Sequence, residues 1–463
     1  MNKLTRKNLL IGTAVLMALV MIISLFILRI GVSDNGAQYK LLEKLGLYDA
    51  YQTTGTGYYS DGFGIANKSF SMTSSGLIYD LAKQIFPVDG ILYTAIPAIL
   101  YMLMFIVSAL LIVSSLYLEP FKGLSVMSAL LTLFVFCDSA YIAYFNTPYK
   151  NASFVVYLIA MVAMFLYYVR KRSVWSLVLF ALFACLFANT STVAAITGCF
   201  IGLLSFRFIL LSKKTVVKIL TGFLSVSIIL ASVVSLPADV GDMYDSVFYG
   251  VALEDAQGVA KLGLDEKLND YKEIPSFDEK AQEFINSENY ESDFASKIGF
   301  AEISGYYLKN LPEFYKGMKK VAYNSTAVRT AYLSGFAPSS GKSGANTGFF
   351  TLYSTIKSKA MPASVIFFLL VLLALIYVCV TFRNNFAKSI GKKIVLEFAI
   401  VFALCTIITY PIPYFLSGMT QIGFNMFYFN AMFDLCLVML VISGTALLMI
   451  KKKMLRDKYG VNQ

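Results

Sequence analysis

Histidine is absent from all 463 residues. That excludes Ser-His-Asp and Cys-His catalysis and zinc sites built on HExxH. Acid–base work must then fall to Asp, Glu, Lys, Tyr or Cys. Charge is scarce too. Asp, Glu, Lys and Arg make up 14% of the chain, against 57% hydrophobic residues. No soluble globular domain has that balance. There is no P-loop and no clean GxGxxG, which argues against an ATP-driven function carried by this chain alone. Cys137, Cys185, Cys199, Cys379, Cys405 and Cys436 all fall in apolar runs, so they read as small packing residues without disulfides or metal-type spacing.

What is present is a series of apolar runs of roughly 20 residues, the length of a membrane-spanning helix. They predict ten spans, near 9–29, 91–117, 123–142, 152–169, 174–189, 193–212, 215–236, 361–382, 393–416 and 426–450. The fold class is therefore an all-α polytopic membrane protein. Its parts are a tail and signal-anchor helix (1–30), a first outer loop (31–90) and a helix block (91–236). A helical outer domain (237–360), C-terminal spans (361–450) and a basic tail (451–463) follow. The start lacks an A-x-A cleavage site, so it reads as an anchor rather than a removed signal. Basic clusters at 3–7, 170–172, 213–218, 383–393 and 451–453 all fall on one side of a ten-span layout. By the positive-inside rule both termini are cytoplasmic. That asymmetry explains the net charge of +11 without any nucleic-acid partner. The histidine-free, lysine-rich pattern reads as bacterial, in the cell membrane.

The chain is organised around its first outer stretch, 33–89. Asp34 stands a few residues past the first span, where a carboxylate can take a proton from a substrate arriving from water. Asp61, Tyr58 and Tyr59 follow among glycines, a surface suited to stacking on sugar rings or, equally, to packing at the membrane interface. Leu41, Leu42, Leu45 and Leu47 predict a short amphipathic helix lying on the membrane. Carboxylates at 34, 49 and 61 could bind a divalent cation, though no spacing demands one and no cofactor is required.

Further along, Asp138 lies inside an apolar run and should face protein or a water-filled cavity. Lys150 places a cation at the outer surface, where a phosphate partner would explain it. Ser276 with Glu279 has the form of a capping box, and Asn310 with Pro312 and Glu313 starts a helix. On that helix Lys316, Lys319 and Lys320 share one face, suited to a phosphate-bearing surface or simply to solvent. Arg329 precedes the Gly- and Ser-rich run 338–348, a mobile loop or a linker. Asp434 lies a third of the way into the last span, lining a cavity or bonded to a neighbouring helix. Pro411 and Pro413 should kink the ninth span.

Three stretches together carry a resemblance. YFNTPYKNAS at 144–153, YDSVFYGVALEDAQGVAKLGL at 244–264 and YLKNLPEFYKGMKK with AYLSGF at 307–336 resemble segments of bacterial polytopic proteins related to the C-type glycosyltransferase (GT-C) fold. The order of spans and outer segments is similar as well. The resemblance implies a GT-C-like fold and transfer of a sugar from a polyprenyl-phosphate donor to a cell-envelope glycan or glycolipid on the outer face. It implies that Asp34 activates the acceptor. Lys150, Arg329, Lys316, Lys319 and Lys320 would be donor-phosphate ligands, with Asp61, Tyr58, Tyr59 and Asp138 as further binding residues. In one place the chain departs from that pattern. Where the YFN turn of the group carries an acid, this chain has Lys150 and Asn151. A non-enzymatic flippase, transporter or accessory protein with a degenerate site is the alternative reading.

Overall fold

The computed structural model describes all residues except 1–4, 32, 35–38, 50–57, 60–61, 72, 118–121, 237–242, 329–332, 334–346 and 460–463. Walking along the chain, α1 is Arg6–Ile22, extended by a wider turn at Ile23–Ile27. The first outer segment holds β1 (Ser33–Asp34), β2 (Leu47–Asp49), β3 (Tyr58–Tyr59), β4 (Gly62–Ile65), α2 (Leu77–Ile85) and β5 (Ile91–Tyr93). The helix block follows as α3 (Ala95–Ser115), α4 (Lys122–Phe136), α5 (Ser139–Ile142), α6 (Lys150–Lys171), α7 (Val174–Ala188), α8 (Thr192–Ser205) and α9 (Thr215–Ser235). The second outer segment contains α10 (Phe300–Lys309), α11 (Leu311–Asn324) and α12 (Leu352–Ala360). The chain then runs through α13 (Val365–Asn385), α14 (Ile390–Thr409), α15 (Ile412–Ser417), α16 (Ile422–Asn425) and α17 (Phe427–Tyr459).

Eight of these helices are long and apolar enough to cross a membrane, and α4 with α5 forms a further pair bent by 56°. Contacts at the helix ends show how the passes alternate. Arg6, at the start of α1, meets Ser114 at the end of α3, and Arg170, at the end of α6, bonds the Ser114 carbonyl. Arg172 reaches the Leu211 carbonyl, just past α8, at 2.6 Å. Arg207 and Arg383 share Glu397 near the start of α14. All these basic ends therefore lie together. At the opposite end Lys150 and Ser191 line one cavity, and Ser235 bonds Asn189. So α7, although only 15 residues long, carries the chain from the basic end to the other. At 1.5 Å per residue it spans about 22 Å. Among the described residues eight spans, the bent pair and this shorter helix therefore follow the order of the apolar runs.

The bent pair differs from the straight span predicted over 123–142. At Asp138 the helix stops, because the carboxylate accepts from Ala140 N (2.8 Å) and caps a new short helix. The segment from Asp138 to Tyr149 is buried throughout. It is a buried elbow at the outer end of α4.

That elbow holds the end of α1. Asn146 Nδ2 donates to the carbonyls of Leu25 (3.1 Å) and Ile30 (2.8 Å). Gly31 follows at φ +86°, and a Cβ there would lie 1.9 Å from the Ala143 carbonyl oxygen. Only glycine fits such backbone-on-backbone contact. Gly31→Ala should therefore cost at least about 1 kcal/mol, read as a lower midpoint in thermal unfolding of the purified protein in detergent.

Described residues of the first outer segment pack on the bundle. β1 pairs antiparallel with β3, and β2, β4 and β5 form a second small sheet. Leu42, Leu45 and Leu47 are buried in the main core, so the amphipathic helix expected to lie on lipid faces protein instead. A run of leucines has the same pattern in either setting. In α2, Asp80 pairs with Lys83 at 2.8 Å, and the ammonium also reaches the Leu45 carbonyl at 2.6 Å. Both side chains are buried. The pair ties the helix to the loop before β2.

In the second outer segment, rings of Tyr244, Phe248, Tyr271, Phe284 and Phe294 pack together. Ser276 does not cap a helix. It donates N–H and hydroxyl to Asp245, and Asp278 caps the next helix instead. Asn310 and Pro312 do open α11, with Met318, Val321 and Ala322 buried. Asp255 accepts from Lys261 Nζ (2.7 Å), the Tyr306 hydroxyl (2.8 Å) and Gln257 N (3.0 Å). Burial pulls its carboxyl upward, but these donors outweigh that and hold it below the ordinary value of 3.8. A depressed carboxylate adds stability above the unfolded value, and that stability is lost as pH falls through the lower folded one. Acid titration should therefore loosen this unit below pH 3.8. Asp255→Asn should flatten that limb in near-ultraviolet circular dichroism.

Candidate functional site

Two cavities flank the elbow, at the end of the bundle opposite the cluster of Arg6, Arg170, Arg172, Arg207 and Arg383. The first is lined by Leu25, Phe26, Arg29, Tyr93, Thr94, Ala95 and Asn146 and measures about 370 Å³. It sits where α1 leaves the bundle. Asn146 and Gly31 fix that exit, and three residues after Gly31 comes Asp34. β1 then sets Asp34 opposite Tyr58 and Ser33 opposite Tyr59. The fold thus brings three of the expected site residues, Asp34, Tyr58 and Tyr59, onto one two-stranded ribbon. Asp61 and Arg329 lie outside the described residues.

The second cavity, about 230 Å³, is lined by Lys150, Ser191, Thr192, Val193, Pro413, Leu416, Ser417, Asn425 and Tyr428. Lys150 is the first residue of α6, which has no side-chain cap, and Ser191 caps α8 by accepting from Ala194 N at 3.2 Å. Two helix N-termini, a lysine, hydroxyls and an amide therefore surround one polar space. Helix N-termini carry partial positive charge and free N–H groups, so such a space suits an anion. Next to the cation, Asn151 is fully buried, and neither its amide nor its carbonyl has a hydrogen-bond partner among the described residues. Buried amides are normally satisfied. Asn146 and Lys150 are four residues apart, so at most about 14 Å of chain separates the two cavities.

The other expected residues go elsewhere. Lys320 pairs with the buried Glu254 at 2.8 Å, Lys316 lies 3.8 Å from Glu313, and Lys319 is exposed. α15 keeps them from Lys150, with Pro413 and Ser417 on the cavity and Tyr414 against Gly317 of α11. Asp138 is fully buried and holds structure. Its second oxygen accepts from Ser354 N at 3.0 Å, tying the elbow to α12. Sequence reading missed Asn146, whose role appears only when α1 packs against the elbow. It also missed Lys357 as the partner of Asp434, at 2.6 Å, with Tyr141 on the other carboxylate oxygen. A lysine just before an apolar run was the available signal.

These features define a helical polytopic membrane protein with a short outer ribbon and a polar, cation-bearing cavity at one end of its bundle. The family model described as the YfdI N-terminal transmembrane domain matches residues 1–462. The chain belongs to that family. No curated protein matches the sequence. Among solved structures it is similar to the archaeal oligosaccharyltransferase AglB from Archaeoglobus fulgidus, a structure in complex with an inhibitory peptide and a dolichol-phosphate. Identity is 13% and the TM-score 0.40, over all of this chain and 53% of that one. The chain thus spans about half the length of that protein.

Proposed function

We propose that this protein is a GT-C-like membrane glycosyltransferase. It takes a sugar from a polyprenyl-phosphate donor and passes it to a cell-envelope acceptor. The observation that carries the reading is the polar cavity formed by Lys150 and the N-termini of α6 and α8, at the same end of the bundle as the exit of α1 that leads to the Asp34 ribbon. In this scheme the donor phosphate rests on Lys150 and the helix N-termini. The Asp34 carboxylate takes the proton from an acceptor hydroxyl. The hydroxyl oxygen then bonds to the anomeric carbon as the bond from that carbon to the phosphate oxygen breaks. The phosphate leaves with its extra charge held by the cation, and no cofactor is needed.

The reading is tested by mass spectrometry of lipid-linked sugars and surface glycans from three strains: intact, deleted, and Asp34→Asn. The expected result is loss of one sugar from a glycan in both altered strains, with its polyprenyl-phosphate donor accumulating. A deletion phenotype that Asp34→Asn does not reproduce would reject Asp34 as the base. No change in either strain would reject the transferase reading.

A further inference from the structure

A third cavity, about 120 Å³, lies deep among α3, α4, α6, α13, α14 and α17, toward the basic end of the bundle. Apart from Ser128, Thr132 and Ser443 its lining is hydrophobic, with Phe136, Leu396, Phe398 and Val438 among the walls. Its lip, at Leu166, Met439, Ile442 and Ser443, is only half-buried. At membrane depth the medium that meets such a lip is acyl chains, not water.

The rim of this cavity is cationic in a regular way. Leu166, Cys379 and Leu396 line it, and one helical turn nearer the basic end on the same faces stand Arg170, Arg383 and Lys392. Arg207 joins them, and two of these four cations, Arg207 and Arg383, share the one carboxylate of Glu397. Arg170 uses Nη1 on the carbonyls of Ser114 and Ser115. That fixes the guanidinium at the end of α3, near Leu116 of the cavity wall.

We propose that this cavity and rim seat one anionic phospholipid from the leaflet at the basic end. One of its chains enters the cavity at the Ser443 lip, and its phosphate rests on Arg170, Arg383 and Lys392. An apolar slot within the bundle selects a chain, and an excess of positive charge at its mouth selects an anionic headgroup over a zwitterionic one. The site is separate from the two cavities that flank the elbow, which lie at the other end of the helices, and stands without the transferase reading.

The test uses the full-length chain in nanodiscs of equal phosphatidylglycerol and phosphatidylcholine, followed by native mass spectrometry of the released protein. The intact chain should retain phosphatidylglycerol at least about fivefold over phosphatidylcholine. Arg383→Gln with Lys392→Gln should erode that preference to near parity, while still retaining lipid. Ala399→Phe, which fills the cavity, and Ser443→Trp, which blocks its lip, should each abolish retention of both lipids. If Ala399→Phe does not fold, Ser443→Trp carries this arm, because that position is half-exposed. Equal retention of the two lipids by the intact chain would overturn the proposal. So would retention that survives Ser443→Trp.

Discussion

Asp434→Leu will lower the stability of the folded protein by about 3–5 kcal/mol. Asp434 and Lys357 are both fully buried, 2.6 Å apart. The ammonium also lies 5.6 Å from the centre of the Phe433 ring, and the Tyr141 hydroxyl donates to the carboxylate. Removing the acid strands a cation and a hydroxyl in an apolar interior. The penalty comes from the group left behind, not from the value of the pair itself. Lys357→Met combined with Asp434→Leu should therefore recover most of the loss. Denaturant unfolding in detergent, with the two single and one double variant, measures this. If the double variant is no better than Asp434→Leu, the stranded-charge account fails.

Asp34→Asn should cut the rate of sugar transfer by about 10²–10⁴-fold, the span expected when a general base is removed. Asparagine keeps the volume, and the pairing of Asp34 with Tyr58 is made by backbone, so the ribbon should persist. The effect should fall on turnover, with donor binding near normal because Lys150 and the helix N-termini are untouched. Purified protein assayed with polyprenyl-phosphate-linked sugars separates the two. A variant that binds donor poorly and turns over normally would remove Asp34 from the base role.

Much of the fold is legible in the sequence because lipid imposes one rule on every pass. Apolar runs of about 20 residues mark the helices, and the clustered lysines and arginines mark one end. Pro411 and Pro413 break α14 from α15 as expected. What escapes is which neighbour an apolar face meets. Composition at 123–142 is the same for a straight span as for a helix stopped at Asp138. The stop depends on one side chain capping Ala140 and gripping Ser354, 216 residues away. Leu42 and Leu45 would look alike against lipid and against a core. The Ser276–Glu279 pattern is a fair local signal, but Asp245, 31 residues earlier, takes the serine. Within the candidate site, Asp34 and Lys150 are visible as charges out of place. The cavities near them are not, because Asn146 and the start of α8 supply those linings through contacts far apart in the chain.

The buried pair also bears on how the protein is made. Lys357 and Tyr141 both emerge from the ribosome before Asp434 does. Until α17 has been synthesised, the lysine has no buried partner and the elbow after α4 lacks one of its anchors. The bundle therefore cannot close progressively from its N-terminus. Its earlier passes must wait in the membrane for a late helix, and a chain stopped short of that helix would present exposed charge to the machinery that removes unfinished proteins.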